Sequence, residues 1–217
     1  MKKYLKLLKE TNLFEGIDES AIEAMLGCLN AKKSHFSEGE YLIRQGERVD
    51  RIFVLAEGRL HVQSEDFWGN RNIFTAISTG EVFGQAYLSG EAIMNDVVAV
   101  EPSIVISFDA DRVLTTCSSA CRFHTQVIRN LFFALSKNNV RLVTKLAHIS
   151  KRTTRAKLMD YLSLMAKKAG SPSFTIPFDR QQLADYLSVE RSSLSAELGK
   201  MQKEGLLQTN RSRFTLM

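Results

Sequence analysis

The stretch RSSLSAELGKMQK, residues 191–203, carries the side chains best suited to chemistry. Read as a helix, it buries Leu194, Leu198 and Met201 on one side and presents Arg191, Ser192, Ser195, Ala196 and Gly199 on the other. Short side chains let such a helix enter a groove. An arginine in its first turn can pair with guanine through two hydrogen bonds, and Lys200 and Lys203 further along suit phosphates. The chemistry implied is recognition of a nucleic-acid duplex rather than the making or breaking of bonds.

A second cluster is CSSACRFH, which places Cys117, Cys121 and His124 at i, i+4 and i+7. On one helix they share a face. Two thiols and an imidazole can bind a soft metal or haem, or the thiols can sense oxidation. Packing is the favoured reading, because free cysteine is often a small buried hydrophobe, and a cap at Ser118 or Ser119 would leave Cys117 outside the helix. The histidines at 35, 61, 124 and 148 are scattered and no nucleophile stands beside a base. Neither an enzyme nor a resident metal is expected.

The reading helix needs a scaffold. In FDRQQLADYLSVE, Asp179 and Gln182 have capping-box spacing, Leu183, Ala184 and Leu187 face inward, and Ser188 and Val189 form a turn. After the second helix, LLQTNRSRFTL reads as a hairpin with Arg211 and Arg213 near its tip. Two helices, a turn and a basic hairpin make a winged helix-turn-helix. Arg180 opens the pair and joins Arg191, Ser192, Ser195, Lys200, Arg211 and Arg213 as the expected DNA contacts. The charge agrees: residues 150–217 carry twelve Lys or Arg against six Asp or Glu, and the other 149 carry seventeen against eighteen. A basic module on a near-neutral one points to a polyanion.

Residues from about 33 to 109 break into short runs rich in β-branched and aromatic residues: YLIRQG, RIFVLAEG, RLHVQSE, NIFTAISTG, VVAV and SIVISFD. Gly46, Gly58, Gly80 and Gly84 punctuate them and FWGN, 67–70, is a hairpin tip, which predicts a sandwich or β-roll. A short helix capped by Asp18 precedes them. A long helix from about Ser119 to Ile149 follows, in which Ile128, Leu131, Leu135, Leu142 and Ile149 keep a 3–4 spacing interrupted by Asn138 and Lys145. Some 30 residues at ~1.5 Å each reach about 45 Å, too long for the core of one small domain, so a helix of a second copy is the expected partner. A further helix over 153–169 ends at Gly170, and SPSFTIPF gives a short loop and strand. Three cysteines without a paired framework, no signal core and no long apolar run point to the cytoplasm and away from a membrane.

With these pieces in order, the chain resembles the Crp/Fnr family of bacterial transcription regulators from about Phe14 to its end. GEYLIRQGERVDRIFVLAEGRLHV resembles the family's opening β-roll, STGEVFG the segment leading into its effector pocket, the long helix its dimerisation helix, and FDRQQLADYLSVERSSLSAELGKMQKEGLL its helix-turn-helix. The resemblance implies an α+β fold: an N-terminal β-roll (a cupin-like jelly roll) sensing an effector over 1–118, a dimerisation helix over 119–149, and a winged helix-turn-helix over 150–217. It implies a cytoplasmic homodimer on a pseudo-palindromic promoter site in double-stranded DNA, with RNA polymerase as a partner and no membrane. The effector pocket falls on Phe83, Gly84, Gln85, Ala86, Asn95 and Asp96.

The departures from the family pattern carry information. Members that bind cyclic nucleotides have a Gly-Glu pair for the ribose and, further on, Arg-Ser for the cyclic phosphate. Here Gln85 replaces the glutamate, and Asn95 and Asp96 replace Arg-Ser. A buried phosphate needs a cationic partner; Asn95 offers none and Asp96 repels it. Cyclic AMP is therefore not expected, and the effector is a small molecule of unknown identity. Residues 1–27 hold no cysteine, so the iron–sulfur arrangement of the oxygen-sensing members is missing. Ala196 replaces an arginine common among relatives, so their target sequence does not carry over, and Ser188 replaces the usual glycine of the turn. The rival reading is a signalling or scaffold module whose degenerate DNA-binding domain binds protein.

Overall fold

The computed structural model describes residues 1–88, 90–115 and 122–217. They divide into two units: Met1–Ser64 with Phe74–Asn139, and Glu65–Ile73 with Val140–Met217.

The first unit opens with helices α1 (Leu5–Glu10) and α2 (Glu19–Cys28), then strands β1 (Lys32–Phe36), β2 (Tyr41–Ile43), β3 (Arg51–Glu57), β4 (Arg59–Glu65), β5 (Arg71–Ser78), β6 (Val82–Phe83), β7 (Asp96–Ala99) and β8 (Ser103–Asp109). These form two four-stranded sheets, ordered β1-β8-β3-β6 and β2-β7-β4-β5. Ile43, Leu55, Leu60, Val62, Ile77, Phe83, Val97 and Val105 pack between them as one core. The other side of the first sheet is covered too: Ile52, Val54, Ile106 and Phe108 lie under Leu8, Leu13, Phe14 and Ile22. Strands β3 and β8 are therefore apolar on both faces, which explains why RIFVLAE and SIVISFD read as nearly continuous hydrophobic runs. This is the expected roll.

Sequence reasoning missed several elements. MKKYLKLLKE contains α1, and a short helix α3 (Ala110–Leu114) follows β8. Strand β1, KKSHF, has four of its five residues exposed, so it shows no apolar alternation. Its lysines suit an edge that must not pair with other chains.

Helix α4 runs Arg122–Ile149 over 28 residues; the expected start at Ser119 lies outside the described residues. Its residues up to Asn139 belong to the first unit and those from Val140 to the other. Val127, Leu131 and Ala134 are buried, and Asn130 donates to the carbonyls of Leu13 (3.0 Å) and Glu15 (2.8 Å), fastening the N-terminal segment to the helix. The predicted seam needs correcting. Leu131 is 3% exposed and Lys145 6%; both face inward. The apolar side chains left in the open are Phe132, Phe133, Leu135, Val140, Leu142, Val143 and Leu146; among them Phe132, Leu135, Leu142 and Leu146 keep the 3–4 spacing, with Asn139 rather than Asn138 in line with them. The stripe is rotated by about one residue.

In the second unit, α5 (Thr154–Ala169) is capped by the Thr153 hydroxyl and ends at Gly170, which has φ 61°. Then come β9 (Ser173–Thr175), α6 (Arg180–Leu187), α7 (Arg191–Lys203), β10 (Leu207–Asn210) and β11 (Arg213–Leu216). The strands form a sheet in the order β10-β11-β9. Leu158, Tyr161, Leu183, Leu187, Leu194, Leu198, Met201 and Phe214 form its interior. The tip of the β4–β5 hairpin also belongs to this unit; there Asp66 Oδ1 accepts from the amides of Trp68 and Asn70, both at 2.9 Å.

Candidate nucleic-acid interface and effector site

Helix α6 starts where the sequence predicts. Asp179 accepts from the Gln182 amide at 2.8 Å and Gln182 accepts from the Asp179 amide at 2.9 Å, a complete capping box. It ends at Ser188 in the left-handed region, φ 52°, a conformation that favours glycine. Lys157 on α5 holds this turn. Its Nζ donates to the carbonyls of Leu187 and Ser188, each at 3.1 Å, placing a cation at the C-terminal, electronegative end of α6.

Helix α7 then lies with Leu194, Leu198 and Met201 buried and Arg191, Ser192, Ser195, Ala196 and Lys200 exposed. Arg155 on α5 pins its far end, bridging to Glu197 at 3.4 Å and pairing with both oxygens of Glu204. That hydrogen bond holds the Glu204 carboxyl below the usual glutamate range. Nothing in the local sequence marks Lys157 or Arg155 as positioning residues, since their partners are 31 and 49 residues away.

The wing is β10, β11 and the turn at Arg211 and Ser212. Arg211, with φ 51°, and Arg213 are exposed. Arg180, expected among the DNA contacts, is half-buried beside the wing. Its guanidinium lies 5.6 Å over the Phe214 ring and donates to Thr209 Oγ1 at 3.3 Å and the Arg211 carbonyl at 3.5 Å. It braces the wing against the start of α6. Burial lowers its pKa, but an arginine so placed stays charged. The exposed set that remains, Arg191, Ser192, Ser195, Lys200, Arg211 and Arg213, lies on α7 and the wing.

The expected effector residues are placed very differently. Phe83 packs into the roll, stacked on Phe53 with centroids 5.2 Å apart. Gly84 has φ 88°, and a Cβ there would sit 2.6 Å from Phe53 Cδ2 and 3.0 Å from the Arg51 carbonyl oxygen, so only glycine fits. Gln85 is 8% exposed, and its Oε1 has no hydrogen-bond partner among the described residues. Ala86 is exposed, while Asn95 and Asp96 are half-buried. Asp96 Oδ1 accepts from the Gln45 amide at 2.8 Å, holding the loop between β2 and β3. Burial raises the Tyr87 phenol, opposed by a hydrogen bond with Asn95.

Of the thiol–imidazole cluster, Cys117 and Cys121 lie outside the described residues. His124 is buried on α4, 3% exposed, and its Nδ1 has no partner among the described residues. No group of residues able to hold a metal ion occurs among the described residues, and none of their helices is long and apolar enough to cross a membrane.

Comparison with known proteins agrees with this division. Residues 33–120 match the cyclic nucleotide-binding domain model, and residues 156–217 match the Crp-like helix-turn-helix domain model. The chain is 25% identical over 112 residues to human (Homo sapiens) cGMP-dependent protein kinase 2, a match covering 51% of this chain and 14% of the kinase, so it spans only a small part of that relative's length. It is 18% identical over 202 residues to the CRP-like cAMP-activated global transcriptional regulator of Mycobacterium tuberculosis, covering 92% of this chain and 89% of the regulator. In three dimensions it is similar to the c-di-GMP responsive global regulator CLP of Xanthomonas campestris, with TM-score 0.73, 15% identity, and coverage of 92% of this chain and 99% of that one. At that identity the likeness speaks for the fold.

Proposed function

The chain belongs to the Crp/Fnr family of transcription regulators, a family of regulators and not enzymes, and on that premise we propose that it acts in the cytoplasm as a homodimer reading a pseudo-palindromic operator. The observation that carries this reading is the exposed face of α7: Arg191 in the first turn, short side chains behind it, and a basic wing beside it. Arg191, Ser192 and Ser195 address bases, while Lys200, Arg211 and Arg213 address phosphates. RNA polymerase is the further partner of such a regulator.

The outer stripe of α4 supports the homodimer. Ile128, Phe132, Leu135, Asn139, Leu142, Leu146 and Ile149 follow alternating steps of four and three, the heptad seam of a two-stranded coil. Phe132, Asn139 and Leu146 take the a positions, and Ile128, Leu135, Leu142 and Ile149 the d positions. A single asparagine at an a position fixes the register and number of the associated helices. Phe132 is 66% exposed and Leu146 60% in the isolated chain, an apolar stripe that a monomer does not ordinarily leave bare.

The effector is a small molecule bound near Gln85 and Asn95, and not a cyclic mononucleotide. Asp96 is occupied with Gln45 and Asn95 brings no charge, so a phosphate there would be desolvated without a cation from either residue. The test is selection of duplexes from a random pool by the purified protein, followed by fluorescence anisotropy on the selected site. Recovery of a two-fold symmetric sequence is the expected result. Recovery of no sequence preference would refute the reading.

A further inference from the structure

Lys145 is a buried cation in the second half of α4. Its side chain ties together elements that are far apart in sequence. Nζ donates to the carbonyl of Ile73 on β5 and stands 4.6 Å from the centroid of the Tyr186 ring on α6, within cation–π range. Tyr186 stacks on Phe178 at 4.8 Å and meets Tyr161 of α5 at 5.3 Å. Tyr161 meets the His148 ring edge-on at 5.8 Å, and His148 Nδ1 is hydrogen-bonded to Asp160 Oδ2 at 2.6 Å. The strand end, the long helix, α5 and the first helix of the helix-turn-helix are thus joined around one ammonium group. An apolar side chain of similar length would fill this space without the desolvation that a buried charge entails. Keeping a lysine there makes sense if the carbonyl and the ring must be held together.

We propose that Lys145 is a positioning residue for the DNA-binding domain: it latches the β4–β5 hairpin to Tyr186, so that displacement of the hairpin is transmitted to α6 and, through the turn at Ser188, to α7. The hairpin is the natural messenger, because β4 and β5 continue without interruption into the second sheet of the roll. This coupling goes beyond operator reading and does not require it.

The latch has a built-in titration. Burial lowers Lys145 from 10.5 to about 8. Other titratable groups on the elements around it include Glu65, Asp66 and Arg71 on the hairpin, Lys137, Arg141 and His148 on α4, Arg155, Lys157, Asp160 and Tyr161 on α5, and Arg180, Asp185 and Tyr186 on α6. Burial raises both Asp185 and Tyr186, opposed for Asp185 by its hydrogen bond with Gln181 and then the charge of Arg71, and for Tyr186 by the charge of Arg141. As pH rises through about 8, the ammonium is lost and with it the attraction to the ring. Global stability moves the other way. The unfolded chain binds the Lys145 proton more tightly, so this group's contribution to stability rises with pH between about 8 and 10.5.

The protein contains one tryptophan, and it is Trp68, 82% exposed at the hairpin tip. Its fluorescence anisotropy in the full chain therefore reports hairpin motion without a label and without DNA. In the wild type, Trp68 anisotropy should fall with a midpoint near pH 8 while the melting temperature does not fall with it. Lys145→Arg, charged throughout, should abolish that titration. Tyr186→Leu, a change on α6, should lower Trp68 anisotropy at neutral pH and add nothing further to Lys145→Met. A wild-type Trp68 signal that stays flat through this range, or a folded Tyr186→Leu protein with unchanged Trp68 anisotropy, would overturn the proposal. Failure of operator selection would leave both readouts intact, so the two readings fail separately.

Discussion

The α7–wing surface and the turn from Phe83 to Tyr87 use polar and small residues to opposite ends. Around α7, the charged groups with fixed partners sit behind the surface: Lys157 at the end of α6, Arg155 on Glu197 and Glu204, Arg180 under the wing. The face itself is left uncovered. At the turn from Phe83, the chain is closed on itself. Phe83 is in the core, Gly84 is wedged against Phe53, and Asp96 serves the backbone of a neighbouring loop. One region is built to be completed by a partner of known chemistry. The other is fitted largely to itself, with the buried Gln85 oxygen left for the proposed effector. Substitutions in the first should change binding and spare stability; those in the second should do the reverse.

The largest expected effect extends the comparison to the other uncovered surface, the outer stripe of α4. Leu135→Glu places a charge in the proposed seam at a cost of several kcal/mol per subunit when two copies meet. Because Leu135 is 38% exposed in the single chain, each subunit should still fold. Light scattering after size exclusion should show monomers, and affinity for a two-half-site duplex should collapse. A dimer with normal affinity would place the subunit contact elsewhere. Asn139→Leu should keep the helices associated while loosening their register or number.

Gly84→Ala comes next and probes the closed region. A side chain at positive φ costs ~1–3 kcal/mol, and the collision with Phe53 adds overpacking strain of ~1–3 kcal/mol. Thermal unfolding should move down sharply, while affinity of the folded fraction for its operator stays within about twofold by anisotropy. Arg191→Ala is the mirror experiment. It should cost ~1–3 kcal/mol on the selected site and relax preference at one base position, with an unchanged melting temperature. Arg211→Ala should weaken all duplexes alike and lower the salt slope by about one. If Arg191→Ala destabilises the fold and leaves affinity alone, the contrast between the two regions fails. The smallest expected effect is none: cyclic AMP and cyclic GMP should not shift the melting temperature at millimolar concentration. A ligand at a hundred times its Kd would add ~2.7 kcal/mol of stability, so the absence of a shift is readily measured.

Local signals were the legible ones. The capping box at Asp179 and Gln182, the turn at Ser188, the glycine stop at Gly170 and the apolar strands each follow from a few adjacent residues. The phase of the α4 seam did not. The helix is apolar on two sides, with Val127, Leu131 and Ala134 inward and Phe132, Leu135, Leu142 and Leu146 outward. The expected series and the proposed one share Ile128, Leu135, Leu142 and Ile149, so spacing alone cannot choose between Leu131 and Phe132. The packing of Arg180 and Lys145 is hidden from the sequence for a related reason. An arginine opening a helix looks like a phosphate contact and a lysine in a seam looks like an interruption, until tertiary packing brings Phe214 and Thr209 to one and Tyr186 and Ile73 to the other.

The ammonium of Lys157 bears on how such proteins diverge. By holding the Leu187 and Ser188 carbonyls it offsets part of the cost of a side chain at positive φ, so the turn should depend on a residue 31 positions upstream. The two sites then form an epistatic pair. Losing the lysine should be harmful beside Ser188 and tolerated beside a glycine, so the order in which the two changes arise decides which lineages can keep the motif. A turn held in this way, from another helix, can keep its shape without glycine.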